Sequence, residues 1–404
     1  MPNTSELIVC EYCDAVYRKS PLARHQRAVC VRCGGVLQRH VGLSVQQRLA
    51  LSVTAAILLV YANLYPVMSI RLQGVSNSAT LWDSVQILSQ GSITFMALVA
   101  ALTIIIAPIL QVLLLIWVLA FAINHRRSPA FALCMRGLES LRPWNMLEVC
   151  LLGAMVAVIK LAGLLDVIPG VGLVALAALS VLLIYIAGRD VRDLWVMNAP
   201  PLAGELNLCL CHGCGQACDM QGHPQRCSRC GAPLHGRKRD AIARTWAYLL
   251  AALVFYLPAN LLPVMHTSMF GGGSGSTIIG GVIEFWEGGA WDIALIIFIA
   301  SIGVPCIKFL VLALLLITTQ RGSDWALRQR AQLYRFIELI GYWSMLDVLV
   351  VALVAALVQM KELGTIEPRS GILFFGLVVV FTMLSAMSFD PRLIWDNATT
   401  EGAG

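Results

Sequence analysis

The chain has 404 residues, 58% of them hydrophobic and only 13% charged, with a formal net charge of +6. A soluble domain is about one quarter charged, so this composition excludes an ordinary water-soluble protein. The basic surplus is spread over segments that flank apolar runs, a pattern of membrane topology rather than of a nucleic-acid-binding face, and no nucleic-acid partner is expected.

Residues 1–42 are polar, basic and cysteine-bearing, and contain no apolar core of a cleavable signal peptide. Within them Cys10-x-x-Cys13 is followed by Cys30-x-x-Cys33, the spacing of a zinc ribbon: two tight knuckles that together offer four thiolates. Apolar runs follow. A hydrocarbon core of about 30 Å needs about 20 helical residues, and residues 48–67, 94–120, 145–165 and 172–188 read as spans, so that 43–195 forms a first transmembrane repeat of four helices. A second ribbon is expected in 196–240, from Cys211-x-x-Cys214 and Cys227-x-x-Cys230, with Cys209, His212 and Cys218 as further candidates that the spacing leaves open. Four more spans, at 245–264, 291–318, 342–360 and 372–387, place a second repeat and a short tail in 241–404.

The two halves are copies. Ala62-Asn63-Leu64-Tyr65-Pro66-Val67-Met68 returns as Ala259-Asn260-Leu261-Leu262-Pro263-Val264-Met265, and Trp144-Asn145-Met146-Leu147-Glu148-Val149 returns as Trp343-Ser344-Met345-Leu346-Asp347-Val348. An even number of spans per copy gives both the same orientation, a parallel repeat. Lys and Arg crowd the two ribbons and the segments after the second and sixth spans, which places both termini and both ribbons on the cytoplasmic side. The expected fold is an all-α polytopic membrane protein: eight transmembrane helices in two parallel four-helix repeats, each preceded by a small cytoplasmic zinc-ribbon domain.

Each ribbon is expected to hold one Zn²⁺, up to two in all, in a closed tetrahedral S₄ shell with bonds of about 2.3 Å. A structural zinc contributes about 10–16 kcal/mol to a module too small for its own core. A rubredoxin-like iron and a redox dithiol are the alternatives. A closed shell leaves no position for hydrolysis. No phosphate-binding loop, HExxH helix or nucleophile with a placed base is present, so no enzymatic activity is expected.

Ionisable groups inside spans mark function. Lys308 lies three residues after Pro305, and Gln111 lies three residues after Pro108. Lys160 in the third span aligns with Gln359 in the seventh. Facing helices would gather these four residues around a polar cavity, with Asp166 as a partner for Lys160. Snorkelling to the headgroups is the alternative for Lys160. The two prolines are expected to kink their helices. Asn63 with Pro66, and Asn260 with Pro263, read as structural ends of the first and fifth spans, each amide serving carbonyls that the proline frees. Residues 69–90 and 266–288 read as outer loops where a partner docks.

Two CxxC…CxxC segments, each ahead of four spans, with the repeated A-N-L-x-P-V-M motif, resemble the paraquat-inducible protein A family, also called PqiA/LetA. That resemblance implies a bacterial inner-membrane protein of the gram-negative envelope working with a periplasmic MCE-domain tunnel protein. It implies membrane phospholipid as the cargo, passed between the bilayer and the tunnel, and a role in envelope integrity under stress. The lipid comes from the resemblance and not from the spacing of residues. A membrane redox protein using the knuckles, and a passive anchor for the tunnel, are the competing readings.

Overall fold

The computed structural model describes residues 7–18, 22, 26–39, 43–72, 75–89, 94–124, 128–162, 166–187, 208–211, 214–219, 226–227, 229–234, 236–269, 272–289, 291–341, 346–357, 359–360 and 364–396. The chain opens with two antiparallel hairpins, β1 (Leu7–Val9) with β2 (Val16–Arg18) and β3 (Arg27–Val29) with β4 (Val36–Arg39). Helix α1 (Val45–Leu64) starts at a reciprocal cap: Ser44 Oγ accepts from the Gln47 amide, and Gln47 Oε1 accepts from the Ser44 amide at 3.1 Å. This satisfies two of the donors that a helix start leaves open. Pro66 cannot donate a helical hydrogen bond, and the chain leaves α1 extended.

It then forms a hairpin of β5 (Met68–Leu72) and β6 (Val75–Ala79), followed by α2 (Leu81–Ser89). The second long rod is α3 (Thr94–Ala100), a π-helical turn at Ala101–Ile106 and α4 (Ala107–Ile123). Helix α5 (Phe131–Leu141) and a 3₁₀ turn (Arg142–Trp144) lead into α6 (Leu147–Ala162), then β7 (Asp166–Pro169) and α7 (Val171–Ala187). After the short hairpin β8 (Leu208–Leu210) and β9 (Ala217–Asp219), the same order returns. It comprises α8 (Ala241–Leu261), β10 (Met265–Met269), β11 (Gly272–Ser276), α9 (Ile278–Glu287), α10 (Trp291–Phe298), a π turn (Ile299–Gly303) and α11 (Val304–Gln320). It continues with α12 (Leu327–Gly341), α13 (Leu346–Leu357), β12 (Gln359–Met360), β13 (Gly364–Pro368), α14 (Ser370–Ser388) and a 3₁₀ turn (Pro391–Ile394).

This is a membrane protein. Among the described residues six helices are long and apolar enough to cross a bilayer: Val45–Leu64, Thr94–Ile123, Phe131–Val158, Ala241–Leu261, Ile299–Gln320 and Ser370–Ser388. Val171–Ile186 and Val348–Leu357 are apolar but shorter. The third of these joins α5 to α6 through the 3₁₀ turn and so starts ahead of the apolar run at 145.

The all-α expectation is corrected. The segments read as outer loops are ordered: β6-β5-β7 form one sheet and β11-β10-β13-β12 another. The cause is local. In each half the A-N-L-x-P-V-M motif turns the chain from helix to strand, and that strand pairs with the strand entering the half's last helix, Met68 opposite Pro169 and Met265 opposite Pro368. The helix start is then drawn against the motif's own backbone. Gly172 N donates to Pro66 O at 3.0 Å and Gly371 N to Pro263 O at 3.0 Å. A Cβ at Gly172 would lie 2.4 Å from Tyr65 O, and one at Gly371 2.6 Å from Pro263 O, so both positions require glycine.

The prolines in the second rods produce a π turn. Ala107 N bonds Leu102 O, and Val304 N bonds Ile299 O, each one residue beyond the α-helical partner. The extra residue sits just ahead of Pro108 and Pro305, rings that would otherwise press on the carbonyl four residues back.

Sequence order and spatial pairing cross. The first ribbon packs on the second half, where Cys10, Cys13, Cys30 and Cys33 form one buried cluster with Ala331 of α12, flanked by Tyr12 and Trp395. The second ribbon packs on the first half, its cysteines clustering with Leu115, Val118, Met135, Leu138 and Ile186. The unit of one ribbon followed by its own four helices is thus a unit of sequence and not of packing. The ribbons also touch each other, through Val9 and Ala217.

Candidate metal centres and a membrane cleft

Each ribbon is assembled from two copies of one turn. The amide after each knuckle donates back to the first cysteine's carbonyl: Asp14 to Cys10 at 3.0 Å, and Gly34 to Cys30, Gly215 to Cys211 and Gly231 to Cys227 at 2.8 Å. The donor residue has a left-handed backbone in all four, with φ of 55° at Asp14, 74° at Gly34, 66° at Gly215 and 67° at Gly231. Glycine adopts this conformation without penalty. Asp14 is held in it by its carboxylate, which pairs with Arg237 and lies 3.6 Å from Arg392.

The turns bring four sulfurs together in each ribbon. Cys10, Cys13, Cys30 and Cys33 form one buried group and Cys211, Cys214, Cys227 and Cys230 another, with all ligand atoms of a group within 4.8 Å. Sγ–Sγ distances are 3.4 Å for Cys10–Cys33 and 3.5 Å for Cys13–Cys30 in the first, and 3.5 Å for Cys211–Cys230 and 3.6 Å for Cys214–Cys227 in the second. A tetrahedron with metal–sulfur bonds of about 2.3 Å has edges of about 3.8 Å, so both groups fit a closed S₄ shell and could each hold a metal ion. Hydrogen bonds from Cys10 and Cys13 pull the Cys33 thiol down to about 2, and the same exchange pushes the Cys13 thiol up. Four such sulfurs carry their full negative charge only with a cation between them. His212 lies outside the described residues, and so does the side chain of Cys209. Cys218 is buried, with its sulfur 3.7 Å from Cys227 Sγ.

The first ribbon is anchored to α12 and to the end of α14. Arg335 donates to Cys33 O at 2.8 Å and its guanidinium covers the Tyr12 ring, while Tyr12 meets Tyr334 edge-on. Arg32 lies over Trp395 at 4.6 Å. Arg237, just beyond the second ribbon, joins Asp14 to Asp396, and the neighbouring Lys238 Nζ donates to Met387 O at 2.7 Å and Phe389 O at 3.0 Å. A cation there complements the C-terminal end of α14. Burial pushes the Asp390 carboxyl up, but the Arg392 hydrogen bonds and charge outweigh it and hold the group at about 2.

Among the polar residues expected within the spans, the side chains of Lys308 and Gln111 are described. Lys308 is buried, and its Nζ donates to Gly341 O, the last residue of α12, at 3.1 Å. Gln111 Oε1 accepts from Asn145 Nδ2 at 2.8 Å. Gln111 thereby ties the second rod of the first half to the break in the third, and Lys308 ties the second rod of the second half to the end of α12. Met146 N reaches the Thr103 carbonyl in the first π turn at 3.4 Å, so that turn meets the same break. Side chains at Lys160, Asp166 and Gln359 lie outside the described residues. Asn63 Nδ2 donates to Leu59 O at 2.8 Å and Asn260 Nδ2 to Tyr256 O at 2.9 Å. Those carbonyls lie four residues back in the same helix and are not the ones released by Pro66 and Pro263.

A cleft of about 640 Å³, a volume that includes the solvent at its mouth, lies beside the four-stranded sheet and is walled by the second half apart from Val156 of the first. Its walls are apolar, from Val156 of α6, Val351 of α13 and Phe375 of α14, with Ser276, Thr277 and Ser301 adding hydroxyls. The Ser276 hydroxyl is buried without a hydrogen-bond partner among the described residues. Ile278, Gly281, Ile297 and Ser301 of this lining correspond, at one constant offset, to Leu81, Ser84, Ala100 and Ile104, which line a space of only about 290 Å³. In the first half, α2 lies against α13, and Asn77 Nδ2 donates to Leu357 O at 2.8 Å. Gly280-Gly281 replaces Asp83-Ser84 and thins α9 where the larger cleft opens.

The description "Paraquat-inducible protein A" belongs to a family model that matches residues 45–198 and again 242–399. The chain belongs to the paraquat-inducible protein A family. Among its relatives, the intermembrane transport protein PqiA of Escherichia coli K12 is 32% identical over 98% of this chain and 97% of its own length. The lipophilic envelope-spanning tunnel protein A of the same strain is 31% identical over 96% and 90%. A probable intermembrane transport protein of Haemophilus influenzae is 28% identical over 98% of both. No solved structure matches. The two family matches coincide with the two helical halves and leave the first ribbon and most of the second outside.

Proposed function

We propose that this chain is the inner-membrane component of an intermembrane lipid transport system, passing phospholipid between the bilayer and a periplasmic MCE-domain tunnel partner. The cleft of the second half carries this reading. Mainly apolar walls with a few placed polar groups are the usual lining of a small-molecule site, and apolar walls with hydroxyls toward the sheet suit an acyl chain whose head remains near the surface. Position 160 stands one helical turn beyond Val156 on α6, so a lysine ammonium there would serve a phosphate head group as a point charge. The relatives' names, intermembrane transport protein and envelope-spanning tunnel protein, support the same direction.

In this reading the eight helical elements form two parallel four-helix repeats, both termini and both ribbons are cytoplasmic, and each ribbon holds one structural Zn²⁺. The sheets then face the periplasm, where the partner docks. The protein catalyses no covalent chemistry.

Filling the cleft tests this. A Cβ at Gly281 meets nothing within 4 Å, so the side chain of Gly281→Trp starts from the cleft wall without a backbone clash. Purified wild-type protein is expected to retain phospholipid measurable by mass spectrometry, and Gly281→Trp to lose most of it while keeping its melting temperature. Equal retention in both would overturn the assignment of the cleft.

A further inference from the structure

The two ribbons are alike in their ligands and differ in what touches the third one. In the first, Tyr17 of β2 places its hydroxyl 3.2 Å from Cys30 Sγ. In the second, the equivalent strand β9 places Cys218 there, with its sulfur 3.7 Å from Cys227 Sγ. Cys30 and Cys227 are the first cysteines of the second knuckles, so one position supplies a protic neighbour to the same ligand sulfur in both ribbons. Such a contact tunes and orients a metal ligand. A phenol in this place cannot form a bond to sulfur by two-electron oxidation, whereas a thiol can.

We propose that Cys218 makes the second ribbon a peroxide-sensitive metal site, its oxidation product being a Cys218–Cys227 disulfide, while the first ribbon stays inert. The inference rests on the reading that both ribbons hold zinc. The Cys227 thiolate attacks hydrogen peroxide; the O–O bond breaks, a sulfenic acid forms on Cys227, and hydroxide leaves and is protonated by solvent. The Cys218 thiol then attacks that sulfur; the S–O bond breaks, the S–S bond forms, and the thiol proton leaves with the hydroxyl as water. Each disulfide thus consumes one peroxide and removes one of four ligands from the shell. A dithiol reductant reverses it. Both sulfurs are buried in the packing core that joins the second ribbon to α4, α5 and the end of α7, so loss of the shell acts directly on the first half.

The test uses full-length protein in lipid nanodiscs, loaded with zinc and assayed for metal before treatment. Brief exposure to hydrogen peroxide is followed by a chromophoric chelator and by disulfide mapping. Two zinc ions are expected at the start. About half of the metal is then released together with a Cys218–Cys227 disulfide, and dithiol treatment restores binding. Cys218→Ser keeps a protic neighbour beside Cys227 and is expected to start with two ions and slow the release at least about tenfold, since no resolving thiol traps the oxidised ligand. Tyr17→Cys is expected to confer release on the first ribbon, which keeps the test open if Cys218→Ser fails to fold. Wild-type release rates in Cys218→Ser, equal release from both ribbons of the wild type, or a Cys209–Cys218 disulfide with metal retained would overturn the proposal. Fewer than two ions bound after loading would overturn the zinc reading beneath it.

Discussion

Gly172 and Gly371 do the same work in the two halves. Each lets the last helix of its half start against the carbonyls of the A-N-L-x-P-V-M motif, and an added methyl would sit within 2.4–2.6 Å of an oxygen. Gly172→Ala and Gly371→Ala are each expected to destabilise by about 3 kcal/mol or more, since the backbone must shift. A thermal melt in detergent should show lower midpoints for both, with Gly281→Ala unchanged. Asp390 gives a pH dependence. Its carboxyl titrates near 2 against an ordinary value of 3.8. The Asp390–Arg392 pair therefore contributes stability fully above about 3.8 and loses it as pH falls towards 2. Melts between pH 5 and 2 should fall more steeply for the wild type than for Asp390→Asn. The eight cysteines of the two buried clusters were legible in the sequence because CxxC fixes a local turn. The role of Gly172 was not, because the oxygen it must avoid is about one hundred residues away in the chain.

The long rods are interrupted where proline predicts it, but the interruption is a π turn, and in the first half it lies against the break of the following span. Lys308 is a buried cation on the second rod of the other half. Its ammonium serves the C-terminal carbonyl of α12, so Lys308→Met leaves Gly341 O without this donor. The expected cost is about 1–3 kcal/mol. Hydrogen exchange should quicken in the last turn of α12 and at the start of α13, while α1 and α7 remain as before. Apolar runs gave away the helices, since each must bury or present to lipid a continuous apolar surface. They could not reveal the sheets, because strands of five residues such as Met265–Met269 and Gly272–Ser276 carry too little apolar alternation. Their pairing is set by the motif and the distant glycine.

The crossed ribbons bind the two halves into one molecule. Cys10→Ser with Cys13→Ser removes half of the first shell, and the structure predicts that the effect appears in the second half. Exchange should rise in 327–341 and 389–395, with 45–64 and 131–141 unaffected. An effect confined to the first half would contradict the packing. The sequence repeat displayed the copies but could not display the crossing, because identical ribbons fit either half until contacts such as Arg335 to Cys33 and Arg32 to Trp395 decide between them. Nor could it show that the copies differ in volume, although Gly280-Gly281 opposite Asp83-Ser84 is the residue-level trace of that difference. The asymmetry matters most, since lipid belongs to the larger of the two spaces only. Photo-crosslinking in cells labelled with radioactive phosphate tests it most directly, with a benzophenone amino acid placed at Val351 in the larger cleft or at Leu353 in the smaller space. The account predicts a phospholipid adduct at Val351 and little at Leu353; no adduct at Val351, or equal adducts at both, would contradict it.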